Sequence, residues 1–319
     1  MAPIRTANHT RGVRKRARPV ARHPIHAKPG RATATGRPRV TDQVIISPAG
    51  RREAVLQVIG AARRRLILSM FRCDDFAILD GLADALRRKV RVEILFTPRA
   101  KGWQQRLEDL WDVLESMGAT LHRYPDPVVK YHAKYIVADS GLALVASLNL
   151  TRKCLTNTVD FVLVTRDRAV ASGLTRLFDA DRIGASGSLP PGRGSRLIVG
   201  PEQAREQLTA LIKGATRSVL IVDPKVTDPS MMALLKAKKA EGVAVKVLGR
   251  GSIGGLDAHG KLLIVDGRTA VIGSVSLSAL SLEFRREVAI RIDEPRAVRK
   301  LGAYFRNRVA RGRRPTAGR

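Results

Sequence analysis

Two short segments of this 319-residue chain place the same reactive side chains at the same spacing. The first carries His132, Lys134 and Asp139, followed by Ser147 and Asn149. The second carries His259, Lys261 and Asp266, followed by Ser274 and Ser276. An acid then follows each histidine at a distance of 28 residues: Asp160 after His132, and Glu287 after His259. An imidazole titrates near neutrality, so it can attack as a nucleophile or hand over a proton. A lysine two residues away on an extended strand faces the same side and supplies a fixed cation for phosphoryl oxygens. Two such pairs facing one phosphorus suit in-line displacement, with one histidine attacking and the other protonating the leaving oxygen. The lysines then neutralise the charge that magnesium neutralises in other phosphoryl-transfer sites. A downstream acid can hold each ring in one tautomer, the role an aspartate plays behind the histidine of a serine-hydrolase triad.

His-x-Lys alone is weak, since His26 and Lys28 satisfy it in a basic segment with no following aspartate or serine at the matching distances. The longer pattern, His-x-Lys-x4-Asp, should arise by chance about 0.02 times in a chain of this composition. It occurs twice.

The elements that must carry these residues repeat as well. A strand at 44–47, a helix bearing Val55, Leu56, Val58, Ile59 and Ala62, a strand at 66–70, a helix near 78–86 and a strand at 90–96 are expected in that order. The order returns as a strand at 197–199, a helix bearing Ala204, Leu208, Leu211 and Ile212, a strand at 219–222, a helix at 231–240 and a strand at 243–248. Pro48 and Pro201 match at an offset of 153, whereas His132 and His259 match at 127. The difference is a first-half segment with Leu107, Leu110, Trp111, Leu114 and Met117 on one helical face, followed by a strand near 120–124. The second half replaces it with a glycine-rich loop at 249–257, which predicts a more open cleft on that side. Alternating strands and helices indicate an α/β fold with helices flanking a sheet in each half.

These residues resemble the HKD motifs of the phospholipase D superfamily, over about residues 44–310. The resemblance implies two pseudo-symmetric α/β/α halves sharing one active-site cleft, a covalent phosphohistidine intermediate, and neither metal nor cofactor. It makes His132 and His259 nucleophile and general acid/base. Lys134 and Lys261, with Ser147, Asn149, Ser274 and Ser276, would bind phosphate. Asp160 and Glu287 would orient the histidines across the interface, and Asp139 and Asp266 would complete the motifs, in either a structural or a catalytic role. The second motif departs from the family pattern in having Ser276 where an asparagine belongs. Serine offers a shorter reach than an amide.

The net charge is +30, and its distribution is uneven. Residues 1–40 hold 11 Lys/Arg and residues 295–319 hold 9, with no acid in either segment. Such ends attract polyanions, either nucleic acid or an anionic membrane surface. No apolar run is long enough to span a bilayer, and the basic N-terminus lacks the apolar core of a secretory signal. Cys73 and Cys154 are too few for a disulfide framework and read as reduced thiols of a cytoplasmic protein. The expected organisation is a disordered basic arm (1–40), a first half (41–184), a linker (185–194), a second half (195–310) and a basic tail (311–319). Three readings follow. The first is a phospholipid phosphodiesterase or transphosphatidylase, cytoplasmic and peripheral at the inner face of the membrane. The second is a nucleic-acid phosphodiesterase, and the third a polyanion-binding relative with weak catalysis. Aromatics for stacking on bases are scarce, at 4% of the chain. The resemblance favours the lipid reading, because two motifs in a single chain are common to lipid-acting members of the superfamily. A monomer is expected, since the duplicated chain already supplies both half-sites.

Overall fold

The computed structural model describes residues 42–185, 195–249 and 251–312. The basic arm, nearly all of the expected linker and most of the basic tail therefore lie outside the described residues.

The first half runs β1 (Gln43–Ile45), α1 (Arg51–Ala61), β2 (Arg65–Met70), α2 (Phe76–Arg87) and β3 (Arg91–Phe96), then α3 (Gln104–Ser116) and β4 (Thr120–Arg123). It continues through β5 (Lys130–Tyr131), β6 (Tyr135–Ala138), β7 (Ala143–Ala146), α4 (Arg152–Thr156), β8 (Thr158–Val159), β9 (Val162–Thr165) and α5 (Arg168–Asp181). The second half runs β10 (Leu197–Gly200), α6 (Ala204–Lys213), β11 (Ser218–Val222), α7 (Pro229–Ala240) and β12 (Ala244–Leu248). It is completed by β13 (Ser252–Ile253), β14 (Leu256–Ala258), β15 (Lys261–Val265), β16 (Thr269–Gly273), α8 (Ala279–Phe284), β17 (Arg285–Ile292) and α9 (Pro295–Gly312).

Each half is built on a mixed sheet. The first has the order β1-β9-β7-β6-β2-β3-β4, and the second β10-β17-β16-β15-β11-β12. β2, β3 and β4 run parallel because α2 and α3 serve as crossovers between them. In the second sheet β11 and β12 run parallel, joined by α7, and β5 of the first half adds a second parallel pairing on β17. The central strand β2 is buried at every position after Arg65, which explains its nearly unbroken apolar run.

The repeat extends to electrostatic detail. Asp75 caps α2 by accepting from the Ile78 amide and holds the Arg52 guanidinium at 2.6 Å. At an offset of 153, Asp228 caps α7 through the Met231 amide and holds Arg205 at 2.7 Å. Each cap fixes the start of a crossover helix at the same end of its sheet.

One apolar cluster draws on both halves, with Tyr131, Phe161 and Phe178 from the first and Ile264, Ile290 and Phe305 from the second. Two others belong to single halves, under α1, α2 and α3 in the first and under α6 and α7 in the second. Among the described residues no helix is long and apolar enough to cross a membrane.

One expectation needs correcting. The segment at 249–257 is not simply a loop, because Ser252–Ile253 and Leu256–Ala258 form a two-residue hairpin. Gly254 and Gly255 turn it with positive φ (61° and 84°), the backbone that a twisted hairpin demands and glycine adopts without strain.

Candidate active site

The two halves exchange short strands at the point where the histidines lie. β5 pairs in parallel with the start of β17, aligning Lys130 with Arg285 and Tyr131 with Arg286. β14 pairs in parallel with β8, aligning Asp257 with Thr158 and Ala258 with Val159. The two pairings are related by the offset of 127. In each, the strand entering a histidine lies on the strand that leads to the other half's acid.

The geometry corrects the expectation that His132 and Lys134 share one strand. His132 to Lys134 form an extended link between β5 and β6, and His259 lies between β14 and β15. The chain there is passing from a bridging strand into its own sheet, so no regular ladder partner is available. The lysines still return to their histidines. Lys134 Nζ donates to the His132 carbonyl at 2.7 Å, and Lys261 Nζ donates to the His259 carbonyl at 2.8 Å. Gly260 permits the close approach in the second half, where an added Cβ would meet the Val159 carbonyl at 2.7 Å and Asp160 Cα at 2.9 Å.

The acids are crossed between the halves. Asp160, fully buried, receives His259 Nδ1 on both oxygens at 2.9 and 3.1 Å. Ser147 Oγ donates to it at 2.6 Å and Thr158 Oγ1 at 2.5 Å. Burial pushes its pKa up, but the His259 ring and the two hydroxyls outweigh burial and hold it below the usual carboxylate range. Glu287, also fully buried, lies 2.7 Å from His132 Nδ1, but off the ring N–H axis, so that no aligned hydrogen bond forms. The Ser281 hydroxyl donates to its other oxygen, and Arg285 stands 3.8 Å away. Here burial prevails and lifts the carboxyl to about 7.

The basic groups converge. Burial, then the positive charges of Lys134, Lys261, Arg285 and His259, hold the His132 pKa well below the ordinary imidazole value. Lys134, 4% exposed, is lowered to about 7 by burial and next by Lys261. Groups from both halves thus act on one another electrostatically, although more than 100 residues separate the two motifs. Phe71 packs its ring edge-to-face on His132 at 4.9 Å and presents its face to Lys134 at 5.2 Å.

Of the four hydroxyl and amide side chains expected to bind phosphate beside the lysines, three have partners elsewhere in the structure. Ser147 Oγ faces Asp160 and accepts from the Phe161 amide at 2.9 Å. Ser274 Oγ exchanges hydrogen bonds with the backbone of Val288 at 3.3 and 3.1 Å. Ser276 Oγ donates to the buried Asp223 at 2.9 Å. The two motif serines tie each motif to the strand that carries its acid, a demand met before any substrate arrives. Asn149 is the exception: its Oδ1 is buried without a hydrogen-bond partner among the described residues, in the same small cavity as Phe71, Arg72 and Lys134. The motif aspartates stand apart from this cluster. Asp139 accepts from the Arg63 and Arg64 amides, and Asp266 from those of Thr216, Arg217 and Ser218, so each braces the turn before a central strand. Four strand residues separate Lys134 from Asp139, a span of roughly 16 Å.

Arg51, Phe71, Thr158, Ser281 and Arg285 escaped sequence reasoning. Thr158 and Ser281 lie two and six residues before the acids they serve. Arg51 is a buried cation bonded to four backbone carbonyls, among them those of Thr158 and Asp160, so it fixes the segment bearing the acid.

A family model described as "Cardiolipin synthase, PLD-like domain" matches residues 55–182 and 255–309, more than half of the chain. The chain belongs to this phospholipase D-like family. Two solved structures share the fold of this family member. Polyphosphate kinase from Porphyromonas gingivalis superposes with a TM-score of 0.69 at 19% identity, over 84% of this chain and 47% of the kinase. The chain thus spans about half the length of that protein. Phosphatidylserine synthase from Haemophilus influenzae superposes with a TM-score of 0.66 at 11% identity, over 86% of each chain. No curated protein matches the chain in sequence.

Proposed function

We propose that this protein is a phospholipase D-type phosphodiesterase or transphosphatidylase acting on phospholipid through a phosphohistidine. The observation that carries the reading is the crossed arrangement, in which each half's histidine has its Nδ1 2.7 to 2.9 Å from the other half's buried acid. Both Nδ1 atoms face acids, so both Nε2 atoms are left for chemistry.

His132 is the nucleophile in this reading, because its lowered pKa leaves it neutral with a lone pair on Nε2. His259, backed by the ionised Asp160, is the general acid. His132 Nε2 bonds to phosphorus as the ester bond to the leaving alcohol breaks, and the His259 proton passes to that oxygen. Water or an acceptor alcohol then gives its proton to His259, attacks phosphorus and breaks the phosphorus–nitrogen bond. Lys134, Lys261 and Asn149 hold the non-bridging oxygens. The two catalytic halves are residues 41–184 and 195–310.

Phospholipid is favoured because the matching family model is the cardiolipin synthase one and because phosphatidylserine synthase matches over nearly its whole length. The basic ends then serve to hold the protein at an anionic membrane surface. The net charge of +30 also supports a second reading, phosphodiester cleavage in nucleic acid.

Purified protein in EDTA, given headgroup-labelled phospholipid vesicles or plasmid DNA, separates the two. Lipid turnover lost in both His132→Asn and His259→Asn supports the proposal. DNA nicking with inert lipid transfers it to nucleic acid, and turnover that survives either substitution refutes the mechanism.

A further inference from the structure

Cys154 takes no part in the chemistry above, yet it stands beside it. Its Sγ, a carboxylate oxygen of Asp160 and a ring nitrogen of His259 all lie within 4.8 Å of one another. Cys154 is 6% exposed and Asp160 fully buried, whereas the His259 side chain keeps 28% of its surface. The trio is therefore buried except at the imidazole, which keeps part of its surface exposed. The repeat explains why a thiol there is notable. At the offset of 127, Cys154 corresponds to Ser281, whose hydroxyl donates to Glu287. The second half completes its acid with a hydroxyl. The first half uses Thr158 for that purpose and leaves a sulfur next to the acid–histidine pair.

We propose that Cys154, Asp160 and His259 form an inhibitory site for Zn2+. Thiolate, imidazole and carboxylate are the donors that this borderline-soft ion takes, at about 2.0–2.3 Å in tetrahedral geometry. The nitrogen–oxygen separation of 2.9 to 3.1 Å already suits two corners of such a tetrahedron. Binding releases the thiol proton to solvent and replaces the proton at His259 Nδ1. A neutral imidazole coordinated at Nδ1 keeps its one proton on Nε2 and has no lone pair there. To protonate the leaving oxygen this neutral ring would have to become an imidazolate, so His259 can no longer act as the general acid and turnover stops. The inhibition rests on the role proposed for His259, whereas the binding does not. Magnesium, which prefers oxygen ligands in an octahedron, is excluded by the sulfur and by the small ligand number.

The test uses EDTA-treated, dialysed full-length protein titrated with Co2+ and, in competition, with Zn2+. Wild type and Cys73→Ser should bind one ion and show thiolate-to-cobalt charge-transfer absorption. Cys154→Ser should lose that absorption and bind Zn2+ about tenfold or more weakly. This variant is expected to fold, because serine fills the equivalent place in the second half. Zinc should abolish wild-type phospholipid turnover reversibly with EDTA and spare Cys154→Ser, and Mg2+ should not compete. Absorption that persists in Cys154→Ser, its absence from wild type, or zinc bound without loss of turnover would each overturn the proposal. If no variant turns over any phosphodiester in EDTA, the catalytic reading fails, and the cobalt absorption still decides whether the site exists.

Discussion

The acids behind His259 and His132 occupy equivalent places in the repeat, yet they are held differently. Asp160 gathers three donors, His259, Ser147 and Thr158, and stays ionised although it is fully buried. Glu287 is equally buried but has one hydroxyl and an unaligned ring nitrogen, and its pKa rises to about 7. Burial is common to both, so the charge interaction with His259 and the hydrogen bonds to the carboxylate set Asp160 apart. The longer glutamate side chain reaches its histidine without the serine and threonine that brace the aspartate. The result is an asymmetric pair inside a symmetric fold. One ring is backed by an acid held below the usual carboxylate range, and the other by an acid lifted to about 7.

The contrast is broken most severely at Asp160. Asp160→Asn should lower kcat/KM for the phosphodiester by about 10²–10³-fold, because it removes the anion that supports the protonated His259. Glu287→Gln should cost about tenfold at pH 7, since it resembles a form the wild type already populates. Equal losses in the two variants, measured side by side, would erase the asymmetry. The pH profile sharpens it. Below pH 7 Glu287 becomes neutral and ceases to act as an anion behind His132, so kcat/KM should fall on the acid side with a limb near 7. That limb should flatten in Glu287→Gln and persist in Asp160→Asn. A limb unchanged by Glu287→Gln assigns it to another group.

Stability should carry the same signature. The folded pKa of Glu287, about 7, lies above the value of about 4.3 expected in the unfolded chain. Between these values the folded state binds more protons, so stability declines as pH rises from about 4.3 to 7. Below that window the group carries no penalty. Glu287→Gln should therefore stabilise the protein by about 1–3 kcal/mol at pH 8 and by nothing near pH 4, as read from urea unfolding at the two values. A pH-independent difference would contradict the raised carboxyl.

Much of this was legible in the residues. The two offsets located both motifs, the order of strands and helices, and the inserted α3 and β4, because apolar periodicity survives duplication even where side chains diverge. The hairpin at 252–258 is not legible, since two-residue strands leave no periodicity to detect and Gly254–Gly255 reads only as part of a glycine-rich loop. The extended link at His132 was misassigned to a strand for a related reason. The alternation of faces holds, but the backbone pairing that defines a strand depends on the other half. The partners of the serines were not legible, because a hydroxyl with a nearby acid or amide is satisfied locally, and only coordinates show which neighbour is near. Cys154 opposite Ser281 was visible in the offset of 127, and its meaning was not, because it depends on the crossed contact between Asp160 and His259.

The smallest expected effect separates the two residues that end the motifs. By offset Asn149 and Ser276 are equivalent, and a shared duty would predict similar losses on truncation. The structure assigns them different surroundings. Ser276 is 3% exposed and donates to Asp223, which also accepts from the amides of Leu277 and Lys225. A buried hydrogen bond to a charged group contributes about 1.5–3 kcal/mol. Ser276→Ala should lose stability of that order while leaving kcat within about threefold, because the hydroxyl already has its partner. Asn149 Oδ1 has none among the described residues and lies in the cavity that Lys134 lines. Asn149→Ala should leave stability nearly unchanged, since no bond is broken, and raise KM for the phosphodiester by about tenfold. Urea unfolding and steady-state kinetics on both variants form the check. If Ser276→Ala instead slows turnover as much as Asn149→Ala does, the motif ends share one task after all, and the asymmetry belongs to the acids alone.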